Sequence, residues 1–238
     1  MTFHQEFNLR NILSQAVKPT RFPIMFDKLV KKVFPGNNLI SNEENKKWIE
    51  ENLSNISEFA RKKSSSIWEE STIEGIKIEK KANKKLNNIK YQLGGGAAYP
   101  LIYFLIRLLR PDIVVETGVA AGFSSLSILS ALKKNKKGRL YSSDFPYFRI
   151  KEPEKYIGIV VNKNLRKNWK LLIEGDKQNL PKIINEVNKI DIFIYDSDKT
   201  YIGKKESLEK IYPLLTKDSL IIIDDIEITS ASLDPELG

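Results

Sequence analysis

The chain has 238 residues, 41 % of them hydrophobic, no cysteine and a net charge of +9. This length suits one α/β domain with an added segment, or two small domains, and leaves enough apolar material for a core. The missing cysteines exclude disulfides, thiolate catalysis and cysteine–metal sites, and no apolar run approaches the ~20 residues of a membrane span.

The longest apolar run, 99–109, is broken by Arg107 and reads as a buried helix. The opening residues lack the basic-then-apolar order of a signal peptide, so a cytoplasmic location is expected. The positive charge has two readings. One is an anionic partner such as nucleic acid. The other is compositional drift, because only 8 of the 39 basic residues are Arg, the side chain that phosphate and base recognition favour. The drift reading argues against nucleic acid as a partner.

In chain order, residues 1–93 read as a lysine-rich helical extension and residues 94–238 as the core domain. The lone histidine, His4, stands far from every motif. Pro19, Pro23 and "FPGNN" (34–38) are expected breakers. "SNEENKKWIEENLSNISEFA" (41–60) opens on a capping box, Ser41 with Glu44, and spaces Trp48, Ile49, Leu53, Ile56, Phe59 and Ala60 for one helix. A second helix is expected over 79–92, with Ala82, Leu86, Ile89 and Leu93 on one side. "GGGAAYP" (94–100) is either a plain linker or a mobile loop at the mouth of a site.

The chain then alternates. A helix (98–109) precedes the strand "DIVVETG", then a helix (124–134), the strand "GRLYSSD", an irregular stretch and the strand "WKLLIEGD". A helix (180–188), the strand "DIFIYDSD", a helix (204–215) and the strand "SLIIIDD" complete the order. Near-continuous apolar strands separated by helices predict a doubly wound parallel sheet, Rossmann-like in class.

Ligands of such sheets sit at the carboxyl ends of the strands. Every strand here ends in acid: Glu116, Asp144, Asp176, Asp196, then Asp224 with Asp225. The dinucleotide fingerprint needs G-x-G-x-x-G, but the three positions read Gly118, Ala120 and Phe123, and no P-loop Gly-Lys-Ser/Thr follows. Strand-end acids would also repel phosphates. The expected ligand is hydroxyl-rich, cationic or zwitterionic and free of phosphate. S-adenosylmethionine fits that description.

"VVETGVAAG" (114–122) resembles motif I of the class I S-adenosylmethionine-dependent methyltransferases, with Glu116, Gly118, Ala120 and Gly122 in the motif places. The order from about 94 to 226 looks like a bacterial small-molecule branch of that family. The resemblance implies cofactor contacts for these four residues and for Asp144 (ribose hydroxyls), Asp176 (adenine end) and Asp196. Ser124 would cap the next helix. "YDSDKTY" is similar to the D-x-x-K-x-x-Y segment of the catechol and caffeoyl-CoA O-methyltransferases. That likeness implies Asp196 as a catalytic metal ligand, Lys199 as general base, and Asp224 and Asp225 as further ligands of Mg²⁺ or another divalent cation. A base role would require a lowered lysine pKa.

This sequence departs from the pattern in two ways. Asp225 stands where the metal enzymes have Asn, and only 13 residues follow it. These are too few for the helix and two strands that complete a seven-stranded sheet, so a core short of its C-terminal strands is expected. The open sheet edge would need cover from the N-terminal helices or from a second copy, a homodimer. The leading function is O-methylation of a small hydroxylated acceptor. The alternatives are a nucleic-acid methyltransferase and a catalytically inactive binding module on the same fold.

Overall fold

Strand runs rich in Ile, Val and Phe set the frame of the protein, whose computed structural model describes residues 9–33, 42–95 and 98–225. Five strands pair wholly in parallel: β1 (Ile113–Thr117), β2 (Arg139–Ser143), β3 (Trp169–Leu172), β4 (Ile190–Tyr195) and β5 (Leu215–Ile223), in the order β3-β2-β1-β4-β5. Side chains alternate between faces along each strand. Val114, Leu140 and Ile192 therefore join one apolar cluster, while Val115, Tyr141 and Phe193 join another on the opposite face.

Eight helices accompany the described strands: α1 (Leu9–Ala16), α2 (Phe22–Val33), α3 (Asn42–Asn52), α4 (Ile56–Leu86), α5 (Tyr99–Leu109), α6 (Phe123–Asn135), α7 (Asp176–Ile184) and α8 (Tyr201–Ile211). Residues of α5, α6 and the C-terminal half of α4 fill the first cluster, and those of α7 and α8 the second. This is the doubly wound sheet that the apolar runs predict. None of the described helices is long and apolar enough to cross a membrane.

Several boundaries differ from the sequence expectation. The helix expected over 41–60 stops at Asn52, and a new one begins at Ile56, because the Asn55 side chain caps it by accepting from the Glu58 amide at 3.1 Å. The helix expected over 79–92 is the last part of the 31-residue α4, which ends at Leu86, six residues short of that expectation, and is kinked where Ser64 leaves helical geometry. Pro23 lies in the first turn of α2 instead of breaking it, a place where a missing amide costs nothing. The helix expected over 180–188 starts four residues earlier, because Gly175 at φ 82° turns the chain and Asp176 favours the first turn. The breaker at 34–38, His4 and the C-terminal segment 226–238 lie outside the described residues. β5 forms an open edge among the described strands, with Thr216, Lys217 and Asp218 exposed along it.

Candidate active site

The ladder continues past the strand ends and draws five loops together. Gly118 donates to the Ser143 carbonyl at 2.9 Å, Asp144 to Leu172 at 3.0 Å, Asp196 to Thr117 at 3.0 Å, and Asp224 to Tyr195 at 2.9 Å. Between these loops lies a cleft of about 1290 Å³, lined from 118–124, 144–148, 175–178, 195–199 and 224–225. It opens where the sheet order reverses between β1 and β4, the usual ligand position of this architecture. Carboxylates outnumber lysines along its wall eight to three, in a chain whose net charge is +9.

The loop after β1 is unusually constrained. Gly118 (φ 81°) and Gly122 (φ 97°) are left-handed, and so is Ala120 (φ 49°), a conformation unfavourable to any residue with a Cβ. Asp144 compensates: its Oδ2 accepts from the Ala120 amide at 2.7 Å and the Val119 amide at 3.2 Å, while its Oδ1 accepts from Phe145 at 2.6 Å. Asp144 thus shapes the loop as well as lining the cleft. From behind, the segment after a short 3₁₀ turn at Pro153–Tyr156 straps the same loop, with Gly158 and Val160 donating to the carbonyls of Ala120 and Ala121 at 2.9 and 3.1 Å.

Glu116 does not face the cleft. It is fully buried on β1 and accepts from Ser124 at 2.5 Å, Ser125 at 2.6 Å and Ser142 at 2.8 Å. Burial pushes its carboxyl up to about 7, with the three hydroxyl donors pulling the other way and Asp144 adding repulsion. The implied cap also changes: α6 is capped by Gly122 with no side-chain bond, and Ser124 spends its hydroxyl on Glu116. Asp176, on the cleft wall, accepts from Ser143 at 2.5 Å and from Ser197, tying the ends of β2 and β4 to α7.

Asp196, Lys199 and Asp225 form one group. The Lys199 ammonium bonds the Asp196 carboxylate and lies 2.5 Å from Asp225 Oδ2. Burial pulls the Lys199 pKa down, but the two carboxylates outweigh it and the net direction is up. The lowered pKa that a free general base needs is absent. Burial, reinforced by Asp224 and Asp225, raises Asp196 despite its lysine partner. Asp198 Oδ1 accepts from the amide of Thr200 at 3.0 Å and from its hydroxyl at 2.8 Å, at the start of α8. Among the described residues no three acids or histidines are gathered to hold a metal ion, and it is the Lys199 ammonium that bridges Asp196 and Asp225.

The N-terminal helices divide. Pro23, Ile24 and Asp27 of α2 line the cleft beside Gly175–Gln178, whereas among the described residues none of α3 or α4 does. Anchors hold this cap down: buried Arg21 bonds Glu154 at 2.7 Å and also Gln15, and Gln178 donates to the Thr20 carbonyl at 3.0 Å. Gly94 and Gly95 of the three-glycine stretch also reach the cleft wall.

Two supporting residues escaped the sequence reading. Fully buried Asn179 accepts from the Glu174 amide at 3.2 Å and donates to Ser143 Oγ at 3.0 Å, pinning the β3 loop to β2. Trp169 donates to Ser142 at 2.8 Å and so backs the Glu116 cluster. The only signal for Asn179 is a polar residue beside Leu180 on the inner face of an amphipathic helix.

Comparison with known proteins fits this geometry. Residues 115–226 match the family model of a methyltransferase domain. Among solved structures, a Klebsiella pneumoniae protein assigned as an O-methyltransferase aligns with TM-score 0.50 at 16 % identity, over 68 % of this chain and 69 % of that one. Cofactor-bound Rv0187 from MTB aligns with TM-score 0.51 at 13 % identity, over 66 % and 74 %. At these identities the likeness is one of fold. No curated protein sequence matches the chain.

Proposed function

We propose, from the premise that residues 115–226 form a methyltransferase domain, that this chain moves a methyl group from S-adenosylmethionine to a hydroxyl oxygen of a small acceptor. The observation that carries the reading is the cleft itself. A glycine loop clasped by Asp144 floors it, and its wall is acidic in an otherwise basic protein. That wall suits a cationic, hydroxyl-bearing cofactor and opposes phosphate, which also weighs against a nucleic-acid acceptor.

When bound, S-adenosylmethionine supplies an electrophilic methyl on a sulfonium. The chain's residues then divide the remaining work. Gly118, Ala120 and Gly122 keep side-chain bulk away from the ligand's path. Asp144, a carboxylate on the cleft wall, accepts from the ribose hydroxyls. Asp176 stands at the adenine end. Glu116 holds the start of α6 from behind through Ser124 and Ser125, and Ser124 also lines the cleft. Lys199, kept as an ammonium, steadies the acceptor oxygen as its proton leaves. Asp196, with its raised pKa, accepts that proton more readily than an ordinary aspartate would. Positioning the acceptor in line with the methyl supplies the larger part of the rate.

Calorimetry with S-adenosylhomocysteine tests the cofactor reading. The parent protein is expected to bind one equivalent, and Asp144→Asn to bind about tenfold more weakly, the order of one lost charge-assisted hydrogen bond. A parent protein that binds neither S-adenosylmethionine nor S-adenosylhomocysteine would overturn it. The donor arrangement carries a second expectation. A millimolar excess of Mg²⁺ over EDTA should move the melting temperature by less than about 1 °C, since a ligand stabilises only the state that binds it. A saturable rise of several degrees would restore the divalent cation.

A further inference from the structure

The inner face of α8 holds a lysine. Gly203, Lys204, Ser207, Leu208 and Ile211 are its buried residues, and Lys204 is only 1 % exposed. An ammonium is costly to bury, and an apolar side chain would fill this place without that cost. Lys204 Nζ donates to the backbone carbonyl of Asp225 at 3.0 Å. Asp225 is left-handed, at φ 52°, a conformation unfavourable outside glycine that persists where surrounding contacts hold it. From that backbone position its carboxylate reaches Lys199 at 2.5 Å.

We propose that Lys204 is a positioning residue: by gripping the Asp225 carbonyl it fixes the left-handed turn that aims the Asp225 carboxylate at Lys199. The role acts through Asp225, because Lys204 does not line the cleft whereas Asp225 and Lys199 do. Its meaning for catalysis rests on the reading of the cleft as a methyl-transfer site. The geometry explains why two adjacent lysines, Lys204 and Lys205, have different fates: only the first falls in the inward register of α8.

The test needs no acceptor. Trace labelling with acetic anhydride, read by mass spectrometry, reports the reactivity of Lys199 relative to exposed Lys77. In Lys204→Met the donor is lost, Asp225 relaxes, and Lys199 labelling is expected to rise about fivefold as one of its carboxylate partners lets go. Lys204→Gln retains a donor and should stay within about twofold of the parent. In an Asp225→Asn background the Lys204→Met effect should vanish, because the two substitutions act on one contact. Parental labelling in Lys204→Met would overturn the assignment, as would an undiminished rise in the Asp225→Asn background. Failure of both Lys204 variants to fold would make the residue a support of the core and equally overturn it. S-adenosylhomocysteine binding, expected within twofold of the parent in the two single Lys204 variants, reports separately on the methyltransferase reading. Its absence in the parent would sink that reading while leaving the labelling comparison intact.

Discussion

A Gly118→Ala variant should lose roughly 4 kcal/mol of folding stability and all measurable S-adenosylhomocysteine binding. A Cβ at this position would stand 1.8 Å from the Asp196 carbonyl oxygen and 2.5 Å from its carbon. Both are backbone atoms of the neighbouring loop, so no rotamer change relieves the overlap. Either β1 and β4 part at their ends, or Gly118 leaves φ 81° and the loop unwinds. Gly94→Ala makes the control. It too has a positive φ, 72°, but its nearest neighbour is 3.8 Å away, so only the conformational cost of about 1 kcal/mol applies. Urea unfolding and calorimetry on both variants would check the pair. Equal, small losses in the two would refute the close approach.

The second large effect lies on Glu116 and is a pH dependence. Its pKa is about 7 in the folded chain, because burial disfavours the carboxylate more than three hydroxyl donors favour it. Below about pH 4.5 the carboxyl is protonated in both states and contributes no difference. As pH rises from there towards 7, the unfolded chain sheds this proton while the folded one keeps it, so stability falls. Above 7 the folded carboxyl ionises as well and the loss is complete. A shift of this size corresponds to roughly 3 kcal/mol. Glu116→Gln, which keeps the shape and cannot titrate, should lack that slope. Urea unfolding of parent and variant at pH 5 and pH 8 should therefore move by roughly 2.5 kcal/mol in the variant's favour between the two conditions, since part of the loss is already present at pH 5. A difference that is the same at both pH values would remove Glu116 as the cause.

The parallel sheet and its ligand end are legible in the sequence because both depend on runs. Strands such as "DIFIYDSD" declare themselves by continuous apolar residues closed by an acid, and the chain order of such strands limits the topology. Helix limits were harder to read. Asn55 and Gly175 set them through a single cap or turn, which amphipathic spacing does not register. The division of labour among the acids was not legible either. Glu116 and Asp144 both end strands, yet one lies under α6 and the other on the cleft wall. Only the pleat, which turns Glu116 to the same face as Val114, separates them. Lys199 reads as a base until Asp225, 26 residues later, is brought to its ammonium. Lys204 did leave a trace: it falls at the apolar register of α8, together with Ser207, Leu208 and Ile211, where a charge needs a reason.

The strap behind the glycine loop has a consequence for affinity. Flexible loops that order around a ligand lose conformational entropy at that moment, on the order of 1–2 kcal/mol for each residue fixed. Here Ala120 and Ala121 are already bonded through their carbonyls to Gly158 and Val160, and the Ala120 amide to Asp144. The ordering cost was met when the chain folded. Contacts made to this stretch of backbone therefore count almost in full towards binding, which is the thermodynamic meaning of a preorganised site.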